Sequence, residues 1–475
     1  MVFSSLIFLF AYLVVTLALY FITPLKWRNV LLLLVSLVFY GYGEPVYILI
    51  MFLSIIIDYT HGLLVEKYRD NDKKARWFVG QSVVFNLLLL GFFKYWDFLA
   101  DNLFALTGIA LPESLTLLGY TIPLRDIPLP IGISFFTFQT MSYTIDIYRK
   151  DAPVQRNILT FGTFVTMFPQ LIAGPIVKYK TVAAELNERV HTTENFALGA
   201  RRFCVGLAKK VLLANSIGAL WDTCLAAQAA GELTVLRGWM GLFAYGFQIY
   251  FDFSGYSDMA IGLGQIFGFR FNENFNYPYC SASVTEFWRR WHMSLTDWFR
   301  EYLYIPLGGN RGGTAKTLRN ILIVWFCTGF WHGASWNFIL WGFYFAAWLI
   351  LEKYVLRDVL KKTPAAIKHF YTIVVVFVGW GIFAIEDLGL CGGYLSTCFG
   401  GASLWRSADF YYLKSYAVTF ILLILASGRW GKNYWNRLSV RVQQVLTPIL
   451  MGASLIIGTA YLVDGSYNPF LYFRF

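Results

Sequence analysis

His332 follows Trp331 at the junction of two apolar runs, Ile321–Phe330 before it and Trp336–Leu351 after it. A titratable imidazole in such a place is costly to keep and is a functional-site candidate by default. A second histidine, His292, stands in the basic, tryptophan-rich string Phe287-Trp288-Arg289-Arg290-Trp291-His292, so the two are expected to do different jobs on different sides. The segment Phe251–Asp258 interrupts a third apolar run with Asp252, Ser254, Tyr256, Ser257 and Asp258. Acids so deep require partners, a water-filled channel or both. A kinked helix whose polar groups satisfy one another is the alternative.

The elements that must position these groups are membrane helices. Of 475 residues, 57% are hydrophobic and 14% charged, and apolar windows of about 20 residues recur along the chain. The fold class expected is an all-α polytopic membrane protein of eleven to twelve transmembrane helices plus re-entrant and cytoplasmic interfacial helices. The spans expected are 4–23, 30–43, 46–63, 78–98, 130–147, 211–228, 236–268, 319–331, 334–352, 370–386, 414–427 and 445–464. The first reads as an uncleaved span. Segment 158–176, broken by Pro169 and Gly174-Pro175, reads as a re-entrant hairpin. Residues 1–464 form one transmembrane domain in this reading, and 465–475 a tail.

Alternate loops hold 33 of the 39 lysines and arginines, which places those loops in the cytoplasm and both termini outside. The net charge of +11 is therefore a topology signal. It excludes nucleic-acid binding, for no soluble domain carries it, and implies attraction to the lipid bilayer and to a polyanionic donor. The outer loop 99–128, with Pro112, Pro123 and Pro128, is expected to fold over the outer mouth. Six scattered cysteines form no metal-binding pattern, so no metal is expected. Cys391 and Cys398 share a predicted outer loop and could form a disulfide or remain two thiols.

In 283–304, Trp288, Trp291, Leu295 and Trp298 recur at helical spacing, which predicts one helix along the inner interface, opened by a Ser283/Glu286 capping box. His292 on it is either a hydrogen-bonded interface residue or part of a donor site. The glycine-dense turn Pro306–Gly313 holds Asn310 and Arg311, and glycine-rich backbone beside arginine can cradle a phosphate. Arg289, Arg290, Asn310 and Arg311 are the donor-binding candidates.

Taken together, Met1–Ser5, Pro130–Ser134, Ala173–Pro175, Phe251–Gly262, Thr285–Ser294, Leu307–Arg311 and Trp331–Ala334 resemble the membrane-bound O-acyltransferase (MBOAT) family, in its bacterial alginate O-acetylase AlgI and PatA-like branch. The resemblance implies an O-acetyltransferase that passes an acyl group from a cytoplasmic thioester, acetyl-CoA, to an acceptor outside, with no permanently bound cofactor. It matches His332 to the family's catalytic histidine and His292 to its second characteristic one. It also implies a bacterial plasma membrane, a cell-wall or exported polysaccharide as target, and an extracytoplasmic SGNH-type partner.

The ending Pro469-Phe-Leu-Tyr-Phe-Arg-Phe475 is similar to the end of the small peptide of lipoteichoic-acid D-alanylation systems. That likeness makes Tyr472 a covalent acyl acceptor, since a phenol whose proton a base removes is a competent nucleophile. An aromatic anchor at the interface is the plainer reading of the same residues. The alternatives for the whole chain are D-alanyl transfer from a carrier protein and, outside enzymes, a transporter or flippase, against which stands the lack of an internal repeat.

Overall fold

Glycines at matched positions let two helices meet backbone to backbone. In the computed structural model, which describes residues 1–117, 120–465 and 471, helix Thr193–Ala208 runs antiparallel to the 32-residue helix Val235–Ile266. A Cβ on Gly199 would stand 2.5 Å from the Gly262 carbonyl oxygen, and one on Gly206 2.5 Å from that of Gly255. The reverse contacts, 2.5 Å from Gly262 and 2.7 Å from Gly255, are as close. Each pair of glycines on one helix is about two turns apart, so a single face stays open for the neighbouring backbone.

Helix Thr193–Ala208 continues through a π turn, Lys209–Ala214, into Asn215–Ala229. This corrects the expected start of a span at 211. Arg201, Arg202, Lys209 and Lys210 made the first half read as a loop, whereas carboxylates on the adjacent helix satisfy three of those four cations. Helix Val235–Ile266 also passes through Phe251–Asp258 without interruption.

Every other expected span coincides with a helix, and the chain is an all-helical membrane protein. Among the described residues, six helical runs are long and apolar enough to cross a bilayer by length and composition: Ile48–Lys67, Asp72–Thr107, Thr193–Ala229, Ala365–Ala384, Ser407–Ser427 and Val440–Asp464. The strands among the described residues are one hairpin in the expected outer loop, Ser114–Leu117 paired antiparallel with Tyr120–Pro123.

Two compact units divide the helices. The first takes Met1, Ile7–His191 and Phe267–Phe271. Its helix Ile48–Lys67 buries Asp58, which accepts hydrogen bonds from Ser82 Oγ at 2.6 Å and from Asn86 Nδ2 at 2.9 and 3.0 Å. The segment read as re-entrant is two short helices, Ile158–Thr166 and Phe168–Leu171, broken at Met167 and wholly buried from 160 to 179.

The second unit takes Val2–Leu6, Thr192–Ile266 and the chain from Asn272. Its core is aromatic: Trp288 meets Trp325 and Phe345 at ring-centroid distances of 4.8 Å, and Trp291 meets Trp380 at 4.6 Å. Here 283–304 departs from the single helix expected. It forms Val284–Trp288, a turn, Met293–Phe299 and a π turn Arg300–Tyr304. The break falls at His292, whose φ of 43° lies in the left-handed region. Burying tryptophans on both sides of the turn stabilises the break more than a continuous interfacial helix would. The Ser283 cap is present, but Glu286 accepts from Ala282 N–H and not from Ser283, so the box is half formed. Cys391 and Cys398 are both free buried thiols.

The glycine contact is testable. Alanine is a better helix former than glycine by about 1 kcal/mol, but Gly206→Ala drives a methyl into backbone that cannot rotate away, at about 1–3 kcal/mol. Net destabilisation of Gly206→Ala and Gly255→Ala in thermal melts of the purified protein is expected, each larger than that of Gly80→Ala, where nothing lies within 4 Å of the added carbon.

Candidate active site

His332 is the last residue of helix Thr314–His332, and Gly333 leads into Trp336–Tyr354. The two helices are brought together by glycine: a Cβ on Gly329 would lie 2.2 Å from the Phe338 carbonyl oxygen, and one on Gly342 2.4 Å from that of Trp325. The His332 ring is buried and meets Trp331 at 5.0 Å and Trp341 and Phe383 at 5.2 Å, all edge to face. Asn337 fixes one wall by donating to the Ile382 and Phe383 carbonyls at 3.3 and 3.0 Å. The carbonyl end of a helix favours the positive charge that a base acquires when it takes a proton.

His292 is not remote from this box. Its ring lies 6.1 Å from that of Trp331 and 4.7 Å from that of Phe253, so Trp331 stands between the two histidines. Burial pushes the His292 imidazole down to about 3, which keeps it neutral at working pH. The helix before it is pinned by Glu352, which accepts from the backbone N–H of Val284 and Thr285 at 2.6 and 2.8 Å and from Thr285 Oγ1 at 2.5 Å. Glu352 thus satisfies the exposed amides of a helix start.

The acids of Phe251–Asp258 find cations that the sequence reading had assigned to a loop. Asp252 and Lys210 form a buried pair at 2.8 Å, and Lys210 also donates to Asn215 Oδ1 at 2.9 Å. The other Asp252 oxygen accepts the Leu471 backbone N–H at 2.9 Å. Leu471 is buried in the same apolar cluster as Trp341 and Phe383, the walls of His332. Tyr472 lies outside the described residues.

Asp258 is held by Lys209 at 2.6 Å and Arg202 at 2.9 Å. With Ser254, Ser257, Asn274, Arg201 and Lys432 it lines a cavity of about 720 Å³. Tyr256 points elsewhere and stacks on Phe3 at 4.5 Å. The expected channel residues therefore divide among a cavity wall, an ion pair and packing.

The donor-binding candidates divide as well. Arg289 and Asn310 line a second cavity of about 720 Å³ with Lys353, Arg357, Lys361 and Lys368, and with Glu286 and Glu352. Arg290 turns to Glu286 at 2.5 Å. Arg311 is exposed on the glycine turn and is not part of that wall. Among the described residues no group of three or more metal-ligating side chains gathers.

Sequence reasoning missed Lys210, Asn274, Asn337 and Glu352. For Lys210, Asn337 and Glu352 a polar residue within an apolar run was the available signal, whereas Asn274 stands in the polar string Asn272-Glu-Asn-Phe-Asn276 and offered none. Removing one member of a buried ion pair leaves an uncompensated charge, at a cost of about 3–5 kcal/mol. Lys210→Met is expected to be strongly destabilising, and Lys210→Met/Asp252→Leu to recover much of the loss in a thermal melt.

Comparison with known proteins agrees with this architecture. Residues 133–392 match the family model described as MBOAT, membrane-bound O-acyltransferase family. A probable alginate O-acetylase AlgI of Azotobacter vinelandii is 41% identical, over 90% of this chain and 83% of its own length. A probable alginate O-acetylase AlgI of Pseudomonas aeruginosa is 44% identical over 82% of this chain and 73% of its own. The peptidoglycan O-acetyltransferase of Helicobacter pylori is 34% identical over 82% and 78%. With more than half the chain inside the family model and His332 buried in an aromatic box at a helix end, the protein belongs to the membrane-bound O-acyltransferase family, as an O-acetyltransferase.

Proposed function

We propose that this protein carries an acetyl group from cytoplasmic acetyl-CoA across a bacterial plasma membrane to an acceptor outside, for O-acetylation of a cell-wall or exported polysaccharide. The observation that carries the reading is the buried His332 in its aromatic box, with Leu471 of the tail buried in the same cluster. The names of the alginate and peptidoglycan relatives support an exported or wall polymer as the final target.

His332 acts as general base in this scheme. It takes the proton of the acceptor hydroxyl, the oxygen attacks the thioester carbonyl, the C–S bond breaks, and the thiolate leaves with a proton returned from the imidazolium. A positioned base supplies about 10²- to 10⁴-fold, and holding both substrates in one dry site adds orientation. Tyr472 is the first acceptor. Its aryl ester keeps enough transfer potential to acylate a serine of an extracytoplasmic SGNH-type partner, which selects the polymer. His292, Arg289, Arg290, Asn310 and Arg311 belong to the donor side, where the cavity walled by Arg289, Lys353, Arg357, Lys361 and Lys368 suits the phosphates of coenzyme A. Twelve crossings with both termini outside are the topology that lysine and arginine placement supports.

The test is a mass spectrum of the C-terminal peptide from protein purified without its partner. An acetyl increment on Tyr472 that disappears in His332→Ala is the expected result, and an alanyl increment would replace acetyl-CoA by an aminoacyl carrier. Full polymer acetylation by Tyr472→Phe would reject the relay. Arg289→Glu and Lys353→Glu together are expected to raise KM for acetyl-CoA about a hundredfold or more, two lost charge-assisted contacts being about 1.5–3 kcal/mol each, with little change in kcat.

A further inference from the structure

The turn that carries His292 is tied down by one side chain. Asn274 is fully buried, and its Oδ1 accepts from Ser294 Oγ at 2.9 Å and from Ser294 N–H at 3.3 Å. Its Nδ2 donates to Ser257 Oγ at 3.0 Å, and its backbone oxygen accepts Met293 N–H at 3.0 Å. These contacts settle which end of the amide is which, because an NH₂ group turned toward Ser294 would face a backbone donor. The carbonyl end therefore meets His292 Nδ1, at 3.1 Å. An oxygen that only accepts requires a hydrogen on Nδ1.

We infer that Asn274 is a positioning residue that holds His292 as the neutral Nδ1–H tautomer, with Nε2 as its lone-pair nitrogen, and so orients a hydrogen-bond acceptor for an N–H group of the thioester donor. The functional half rests on the donor-side reading of His292, whereas the tautomer stands independently. The left-handed backbone of His292, φ 43°, is a conformation that persists only when its surroundings over-determine it. Asn274 does so through both the ring and the following two residues.

Among the described residues, Asn274 and Ser294 lie beside the ring, and Phe253 from helix Val235–Ile266 and Trp331 from helix Thr314–His332 pack against it. The nearest charged groups along Val235–Ile266 are Asp252 and Asp258, each engaged by its own cation. Burial is thus the cause that keeps the ring neutral.

Asn274→Asp keeps the acceptor geometry and places a carboxylate against Nδ1, which favours the imidazolium. The experiment is ¹⁵N NMR of histidine-labelled full-length protein, with the His292 signals assigned by their loss in His292→Gln, beside a pH profile of acetyl transfer. Wild-type His292 is expected to show a protonated Nδ1 and a bare Nε2 throughout about pH 5–8, and in Asn274→Asp to titrate inside that window. Activity of the variant is expected to fall about tenfold or more near pH 6 and to recover toward pH 8, as the neutral form returns. A wild-type ring protonated on Nε2, or no titration in Asn274→Asp, overturns the tautomer assignment. A titrating ring with a pH profile parallel to wild type keeps the tautomer but overturns its role in donor use. Asn274→Gln is the second variant, expected to restore a flat profile if its carbonyl reaches Nδ1, and a thermal melt of each separates these effects from loss of fold.

Discussion

The backbone contact of helix Thr193–Ala208 with helix Val235–Ile266 sets the spacing on which the second unit depends. Glycine pairs Gly199/Gly262 and Gly206/Gly255 bring the helices so close that short cation–carboxylate distances follow just beyond them. Lys209 and Lys210 are sequence neighbours, yet the π turn directs one to Asp258 and the other to Asp252, six residues apart. Side chains larger than hydrogen at the glycines would separate the helices and leave carboxylates buried without partners, the most costly outcome in a low-dielectric interior.

From that contact, helix Val235–Ile266 presents different chemistry on successive faces. Asp252 meets Lys210 and the Leu471 amide, Phe253 meets His292, and Ser257 receives Asn274. The polar motif that looked like an interruption is thus a continuous helix whose two carboxylates are each held by cations of the neighbouring helix. Its regularity matters, because a kink would move these faces out of register with one another.

The surroundings of His332 are built on the opposite principle. Trp331, Trp341 and Phe383 enclose it by their edges and faces, and Asn337 holds Phe383 through the end of its helix. Rigid rings exclude water at small entropic cost and strengthen every interaction inside. His292, one tryptophan away, is held by an amide. One imidazole stands among rings and one beside a polar brace, and the two cavities mix cations and carboxylates with residues of the apolar core, Tyr250 and Phe275 in one and Ile321 and Leu349 in the other.

The sequence alone determined the membrane class, the positions of nearly all the apolar helices and the exceptional character of Trp331-His332, because apolar runs and a lone imidazole are local properties of composition; the shorter helices between them, among them Leu388–Cys398 in the expected outer loop, were not legible in it. The Ser283 helix start was legible for the same reason. Tertiary structure decided what meets what. The cations that hid the beginning of Thr193–Ala208 became legible only beside Asp252 and Asp258, and the expected interfacial helix broke at His292 because buried tryptophans and Asn274 hold a left-handed turn that periodicity does not encode. The approach of Leu471 to Asp252 joins residues 219 apart in sequence. Such pairings depend on glycine-limited helix distances and on chain closure over long separations, and no local pattern reports either.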